Sequence, residues 1–162
     1  MESILHHYAL TGKVAVVTGA GQGIGRAISI AFAKAGAKVA CLDLIGDNAK
    51  RTAQEISAAG GTAIGVAVDV SNEPSTQQAI AEVVAQFQTI HVLLNGAAAK
   101  DPSGSVADYS LEDWNKAISV NLTGAFLMSK SVIPHMANHR SGSIIHIASQ
   151  LGRVGTANRA VY

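Results

Sequence analysis

The sequence has only one cysteine and almost no net charge, and both shortages exclude classes of protein. Cys41 lies in an apolar run and has no second cysteine with which to form an internal disulfide, so we expect a buried thiol that takes no part in function. The formal net charge of +1 gives no electrostatic footprint for nucleic acid or for a membrane surface. We therefore expect a cytoplasmic protein with neither nucleic acid nor membrane among its partners.

Long apolar runs and a leader sequence are also missing. The first ten residues contain no basic cluster, and no run approaches the roughly 20 apolar residues that a membrane span needs. The 162 residues, 48% of them hydrophobic, suffice for one α/β domain with a sizeable core and are too few for two ordinary domains. We treat 1–162 as a single domain.

A metal site is not expected either. His135 and His139 are one helical turn apart, which is a spacing that zinc ligands use. However, no glutamate stands between them in the H-E-x-x-H manner, and no third ligand is obvious. A solvated helix end explains this pair, and no metal is predicted.

What the sequence does have is a glycine-dense turn between a strand and a helix. The apolar run 14–17 is followed by Thr18-Gly19-Ala20-Gly21-Gln22-Gly23-Ile24-Gly25 and then by apolar residues at helical spacing. Glycine at 19 can adopt a positive φ, glycine at 23 lets backbone N–H groups approach a pyrophosphate, and glycine at 25 allows close helix–strand packing. The helix N-terminus adds free N–H donors. The stretch therefore predicts a nucleotide phosphate site.

The spacing of the glycines separates this loop from other phosphate loops. A P-loop needs Lys and then Ser or Thr after its last glycine, whereas Arg26 and Ala27 follow here. A G-x-G-x-x-G loop also fails, because its last position is Ile24 when counted from Gly19 and Arg26 when counted from Gly21. The pattern that fits is T-G-x-x-x-G-x-G.

The remaining segments alternate between strand and helix patterns. Strands are predicted over 38–43, 62–68, 91–95 and 143–148, with helices between them, including one that Asp47 or Asn48 caps and one that Ser71 caps. Ser110 and Asp113 form a capping-box pattern at the start of a later helix. This order predicts an α/β fold with a Rossmann-like, doubly wound parallel sheet and helices on both faces.

An acidic residue closes the second predicted strand. Asp43 lies eighteen residues after Gly25, where a carboxylate can accept hydrogen bonds from the ribose hydroxyls of an adenine nucleotide. A 2′-phosphate would be repelled there, and neither Gln22 nor Leu44 supplies a compensating positive charge. The sequence therefore favours NAD over NADP.

The loop pattern resembles the cofactor loop of the short-chain dehydrogenase/reductase family, and so do four later features of the chain. The resemblance implies NAD(P) binding by the loop, by the acidic residue after the second strand, by an Asp-Val pair and by the asparagine that ends the fourth strand. The cofactor residues are then Gly19, Gly21, Gln22, Gly23, Ile24, Gly25, Asp43, Asp69, Val70 and Asn95. The family's Asn-Asn-Ala-Gly after that strand is only half matched by Asn95-Gly96-Ala97-Ala98.

The resemblance also implies the catalytic groups. Tyr162 matches the phenol that exchanges a proton with a secondary alcohol or ketone, Ser149 matches the hydroxyl that hydrogen-bonds the same oxygen, and Asn121 matches the helix asparagine of the proton relay. The family's lysine, four residues after the tyrosine, has no counterpart because the sequence ends at Tyr162. We expect 1–162 to be the N-terminal cofactor half of a longer enzyme, or a natural truncation of one, with the homo-oligomer contacts belonging to the full-length protein.

Three hypotheses remain open from the sequence. The first is an oxidoreductase that transfers a hydride between NAD(P) and an alcohol or ketone. The second is a dinucleotide-binding fragment without catalysis, which follows from the absent lysine. The third is a Rossmann-like methyltransferase that uses S-adenosylmethionine, which shares the glycine loop and the acidic strand end but leaves the Ser149-to-Tyr162 spacing unexplained.

Overall fold

A computed structural model describes residues 9–99, 103–159 and 161 and shows five parallel strands in the order β3-β2-β1-β4-β5. The strands are β1 (Val14–Thr18), β2 (Lys38–Asp43), β3 (Thr62–Ala67), β4 (Val92–Asn95) and β5 (Ser143–His146). The helices are α1 (Gly23–Lys34), α2 (Gly46–Ala58), α3 (Glu73–Phe87), α4 (Leu111–Ala117) and α5 (Gly124–Asn138). This is the doubly wound α/β fold that the sequence predicts, and its strand order reverses between β1 and β4.

Helices cover the sheet on both faces because alternate residues of the inner strands are apolar on both sides. Val16 and Leu42 pack into one cluster with residues of α3 and α5. Val17 and Cys41 pack into the other cluster, which Ala53 and Ile56 of α2 complete. Burial raises the pKa of the Cys41 thiol to about 11, so this side chain is neutral at physiological pH and reacts poorly with thiol reagents.

Two predicted helix caps are wrong, and local hydrogen bonds explain why. The N-cap of α2 is Ile45, whose N–H donates to the Asp43 carboxylate, so Asp47 and Asn48 fall inside the first turn instead. The N-cap of α3 is Asn72, which accepts from the Ser75 N–H. Ser71 therefore lies just before the cap, where its hydroxyl donates to the Asp69 carboxylate. The Ser110 cap of α4 is confirmed, since Ser110 Oγ accepts from the Asp113 N–H at 3.0 Å.

The strand β5 lies at the edge of the sheet and pairs with β4 alone among the described strands. Its apolar side chains are less covered than those of the inner strands, since Ile145 is 40% exposed and Ile147, just after the strand, is 43% exposed.

Candidate active site at the carboxyl edge of the sheet

All five strands are parallel, so their carboxyl ends meet at one edge, and a cleft opens there. Its volume is about 770 Å³. Residues at or just beyond the ends of four strands, β1, β3, β4 and β5, line it together with residues of the helical segment 117–129. Thr18, Asn95, Asn121 and Ser149 all line this cleft. The crevice beyond the carboxyl ends is where ligands bind in open parallel sheets.

The glycine loop connects β1 to α1 along this edge. Gly19 has a φ of +67°, and a Cβ there would lie 2.8 Å from the carbonyl oxygen of Gly96, in the segment after β4. A Cβ on Gly25 would collide with the backbone carbonyl of Gly19. Both positions therefore require glycine, the first for its conformation as well as its contact and the second for close packing of α1 on the loop.

The outer side of the loop is open and can accept a phosphate. Nothing lies within 4 Å of the place where a Cβ of Gly23 would be, and the neighbouring Ile24 is 63% exposed. Gln22 is the N-cap of α1 and makes no side-chain cap bond, so it does not occupy the free N–H groups of the first turn. An anion can reach these donors, which the helix dipole makes more favourable to negative charge.

Asp43, at the end of β2, is held beside the glycine loop. Its Oδ2 accepts from the Gly21 N–H at 2.9 Å, and its Oδ1 accepts from the Ile45 N–H at 3.0 Å. Both oxygens therefore have a backbone donor, yet the residue remains partly accessible. The carboxylate is therefore fixed next to the glycine loop.

The Asp69-Val70 pair follows β3 and divides its contacts between the loop and the cleft. The Asp69 carboxylate accepts from the N–H and from the hydroxyl of Ser71, so it organises the entry into α3. Val70 lines the cleft and packs against Gly124, where a Cβ would lie 2.7 Å from Val70 Cγ2. Val70 is thus the member of this pair that reaches the cleft.

Thr18 ties the ends of β1 and β4 together. Its Oγ1 accepts from the N–H groups of Gly96 and Ala97, at 3.0 and 3.1 Å. These bonds hold the segment after β4 against the glycine loop. Sequence reasoning assigned Thr18 only to the loop pattern, although a hydroxyl at the end of a buried strand is a signal of such a contact.

Asn95 ends β4 and is 8% exposed. Its Nδ2 lies 3.2 Å from Nδ1 of His146 and 3.5 Å from the hydroxyl oxygen of Ser129, while its Oδ1 is buried without a partner among the described residues. His146 and Ser129 were not among the residues selected from the sequence. Their contact with Asn95 depends on the pairing of β4 with β5 and on the approach of α5, neither of which a motif displays.

Asn121 lies in a short π-helical segment, Ile118–Thr123, between α4 and α5. Its Oδ1 accepts from the Ala99 N–H at 2.7 Å, which joins the helix to the segment after β4. Wider π turns inside α-helices are frequent at functional sites because they redirect side chains and backbone groups. The segment places Asn121 in the wall of the cleft.

Ser149 lies three residues beyond β5 and lines the same cleft. Its Oγ accepts from the Leu151 N–H at 3.1 Å, so its own hydroxyl hydrogen remains free to donate. The structure therefore brings Ser149 and Asn121 to one cleft, beside the strand end that precedes Gly19. The predicted catalytic Tyr162 lies outside the described residues.

Within 9–99, 103–159 and 161, no group of three or more His, Cys, Asp or Glu side chains is placed to hold a metal ion. None of the helices that the structure describes is both long and apolar enough to cross a membrane.

Comparison with known proteins identifies the family. The model of the short chain dehydrogenase family matches residues 13–162. A 2,5-dichloro-2,5-cyclohexadiene-1,4-diol dehydrogenase of Sphingobium indicum is 42% identical over 153 residues, which are 94% of this chain and 61% of that protein. A D-threitol dehydrogenase of Mycolicibacterium smegmatis is 36% identical over 160 residues, which are 99% of this chain and 61% of that protein.

A solved structure with the same fold is also that of a dehydrogenase. It is a 7α-hydroxysteroid dehydrogenase in complex with NADH and 7-oxo glycochenodeoxycholic acid, and it superposes with a TM-score of 0.91 at 30% identity. The match covers 96% of this chain and 60% of that one. The chain thus spans about three fifths of the length of these relatives. Because the family model matches residues 13–162, the chain belongs to the short chain dehydrogenase family.

Proposed function

We propose that the protein is a nicotinamide-dependent oxidoreductase that transfers a hydride between NAD(H) and a secondary alcohol or ketone. The observation that carries the proposal is one cleft that Asn121 and Ser149 line together with Thr18, the residue that precedes Gly19. The names of the two relatives given above describe enzymes that act on alcohols, and the solved structure contains NADH. In such a reaction the nicotinamide supplies or accepts the hydride.

The residues of the loop fit a dinucleotide. Gly19 and Gly25 leave no room for a side chain at the turn, while the start of α1 is open to an anion. Gly21, Gln22, Gly23 and Ile24 would border the pyrophosphate through their backbone. Asp69, Val70 and Asn95 would border the adenosine side and the floor of the site, as the family resemblance implies.

Asp43 supports a preference for NAD. Its carboxylate is held by two backbone donors at the end of β2, so it cannot easily turn away from a ligand in the loop. Ribose hydroxyls can donate to its oxygens, whereas a 2′-phosphate would bring like charges together.

Ser149 and Tyr162 are the proposed groups for the reacting oxygen. Ser149 Oγ accepts a hydrogen bond from the Leu151 N–H, which does not use the hydroxyl hydrogen. That hydrogen can therefore be donated to a substrate carbonyl oxygen. The phenol of Tyr162 would exchange the proton with that oxygen, and Asn121 would support the relay by which the phenol recovers it. We expect Tyr162→Phe to abolish turnover while leaving NADH binding intact.

Titration of NADH and NADPH by fluorescence tests the cofactor proposal. We expect NADH to bind more tightly, and Asp43→Asn to reduce the ratio of the two affinities by about tenfold or more, because it removes the charge that repels the 2′-phosphate. Asp47→Asn is the matched control, since Asp47 is an exposed carboxylate in the first turn of α2, four residues after Asp43, and is paired with Lys50 at 3.8 Å. Tighter binding of NADPH by the unaltered protein would contradict the proposal.

A second candidate, dinucleotide binding without turnover, is favoured by the length of the match, because the chain spans only about three fifths of its relatives. An assay of NADH binding beside an assay of alcohol oxidation separates the two candidates. Binding without turnover would support the second, and turnover would exclude it.

A further inference from the structure

One peptide unit of the glycine loop, between Ala20 and Gly21, is held at both of its polar ends. Its N–H, on Gly21, donates to Asp43 Oδ2 at 2.9 Å. Its carbonyl, on Ala20, accepts from the hydroxyl of Thr52 at 2.9 Å. A trans peptide unit is planar, with its N–H and C=O on opposite sides of the chain, so a partner at each end fixes its rotation. Asp43 supplies one of these partners and helix α2 supplies the other.

The contact from α2 is a buried and directional hydrogen bond. Thr52 lies in the second turn of α2, and both Thr52 and Ala20 are 0% exposed. A carbonyl oxygen only accepts, so the Thr52 hydroxyl is the donor. The hydroxyl also lies 3.3 Å from the Asn48 carbonyl, but that carbonyl belongs to the ladder of α2, in which the N–H four residues on is the ordinary donor. The shorter contact, with Ala20, is therefore the one that joins α2 to the loop.

The first turn of α2 also packs against the loop. A Cβ on Gly21 would lie 2.6 Å from the Cβ of Asn48 and 2.7 Å from Asp43 Oδ2. The loop is thus enclosed on this side, while its outer side at Gly23 is open. Thr52 was not selected from the sequence, because its partner is 32 residues away and a threonine inside a helix displays no motif.

We propose that Thr52 is a positioning residue for nucleotide binding: its hydroxyl fixes the Ala20–Gly21 peptide, and this peptide sets the direction of the N–H groups that follow it in the loop. The inference rests on the proposed function, since the ligand is the dinucleotide of that proposal. Thr52 is fully buried, so it acts through the Ala20 carbonyl and does not touch the ligand.

Removing the hydroxyl has two expected effects on the loop. A buried carbonyl without a donor is costly, so the Ala20–Gly21 peptide rotates toward another partner. That rotation turns the Gly21 N–H away from Asp43 and moves the donors of the next residues out of line with a phosphate. Binding of the dinucleotide then weakens, and the Gly21 N–H loses its protection from solvent.

Titration of NADH by fluorescence tests the inference. We expect Thr52→Val, which keeps the shape of the side chain and lacks the hydroxyl, to bind NADH about tenfold more weakly, the scale of one lost hydrogen bond to a buried group. Thr52→Ala is a second variant without the hydroxyl and should show a similar loss. Thr52→Ser retains the donor and should recover most of the affinity.

Thr76→Val is the matched control. Thr76 is also a fully buried helical threonine, and its hydroxyl donates to the Glu73 carbonyl at 2.8 Å, within α3. Urea denaturation should show a loss of stability in both valine variants, whereas only Thr52→Val should lose affinity for NADH. Hydrogen exchange followed by NMR gives a readout without ligand, in which the Gly21 N–H should exchange faster in Thr52→Val and at the original rate in Thr76→Val.

Three results would overturn this inference alone. They are full affinity for NADH in Thr52→Val or Thr52→Ala, binding by Thr52→Ser as weak as that by Thr52→Val, and an equal loss of affinity in Thr76→Val. Failure of the unaltered protein to bind NADH would overturn the proposed function and this inference with it.

Discussion

Strands β2 and β5 have similar apolar sequences but lie in different surroundings. β2 lies between β1 and β3, and four of its six residues are buried, with side chains in both core clusters. β5 pairs with β4 alone among the described strands, and only Ile144 of its four residues packs against a core cluster. An apolar run therefore predicts that a strand forms, whereas its neighbours decide how much the strand contributes to stability.

Truncating one side chain in each strand should give the largest contrast. We expect Leu42→Ala to lower the free energy of unfolding by about 3 kcal/mol, because Leu42 is fully buried and a cavity would remain. Ile145→Ala should cost less than about 1 kcal/mol, because the side chain is 40% exposed already. Urea denaturation followed by circular dichroism measures both.

Equal losses for the two variants would break this comparison. Such a result would mean that the exposed face of Ile145 is covered in solution, and light scattering would then show whether a second copy of the chain covers it. A variant that replaces Ile145 by Thr adds a further check. It keeps the branched side chain and lowers the apolar area, so it should retain stability while reducing any association.

A smaller contrast is expected between two glycines, one beside β1 and one after β5. Gly25→Ala should lower the free energy of unfolding by about 2 kcal/mol, since its Cβ would meet the backbone of Gly19 and force α1 away from the loop. Gly155→Ala is the matched control, because nothing lies within 4 Å of its Cβ position, and it should change stability by less than about 0.5 kcal/mol. A Gly25→Ala protein as stable as the control would mean that the loop relaxes freely.

Much of the interior half of the molecule could be predicted from its residues. The bounds of β2 and the place of Asp43 follow from an apolar run that closes on an acidic residue, and the turn from β1 into α1 follows from the spacing of the glycines. These features are local in the chain. The Rossmann-like order of strands then follows from the alternation of strand and helix.

The parts that could not be predicted depend on which groups meet in three dimensions. Ser71 was expected to cap α3, but the helix begins at Glu73 and its cap is Asn72, whose Oδ1 accepts from the Ser75 N–H. The bond between Asn95 and His146 requires the register of β4 with β5, across 51 residues of sequence. Roles for Asn121, Ser149 and Tyr162 in turnover, and for the glycine loop in cofactor binding, stay predictions until kinetics test them.

The smallest expected effect is on the pH dependence of stability and concerns His91, which connects β1 to β5 by hydrogen bonds. Its N–H donates to the Val14 carbonyl, its carbonyl accepts from the Ser143 N–H, and its Nδ1 accepts from the Val14 N–H at 3.0 Å. Burial, and then the charges of Lys13 and His139, lower the pKa of His91 below its ordinary value. The ring of His139 stacks on it at 6.4 Å between centroids.

This lowered pKa makes stability depend on pH with a definite sign. As the pH falls below the ordinary histidine value of about 6.5, the unfolded chain takes up the proton first, so the free energy of unfolding decreases until the folded-state pKa is passed. We expect the urea midpoint to be lower at about pH 5.5 than at about pH 7.5. His91→Asn should reduce this dependence, because its Oδ1 can accept from Val14 without titrating, whereas His135→Asn should leave it unchanged. A urea midpoint that rises as the pH falls would contradict the expected sign of the pH dependence. If the midpoint of His91→Asn depended on pH as strongly as that of the unaltered protein, another titratable group would be responsible.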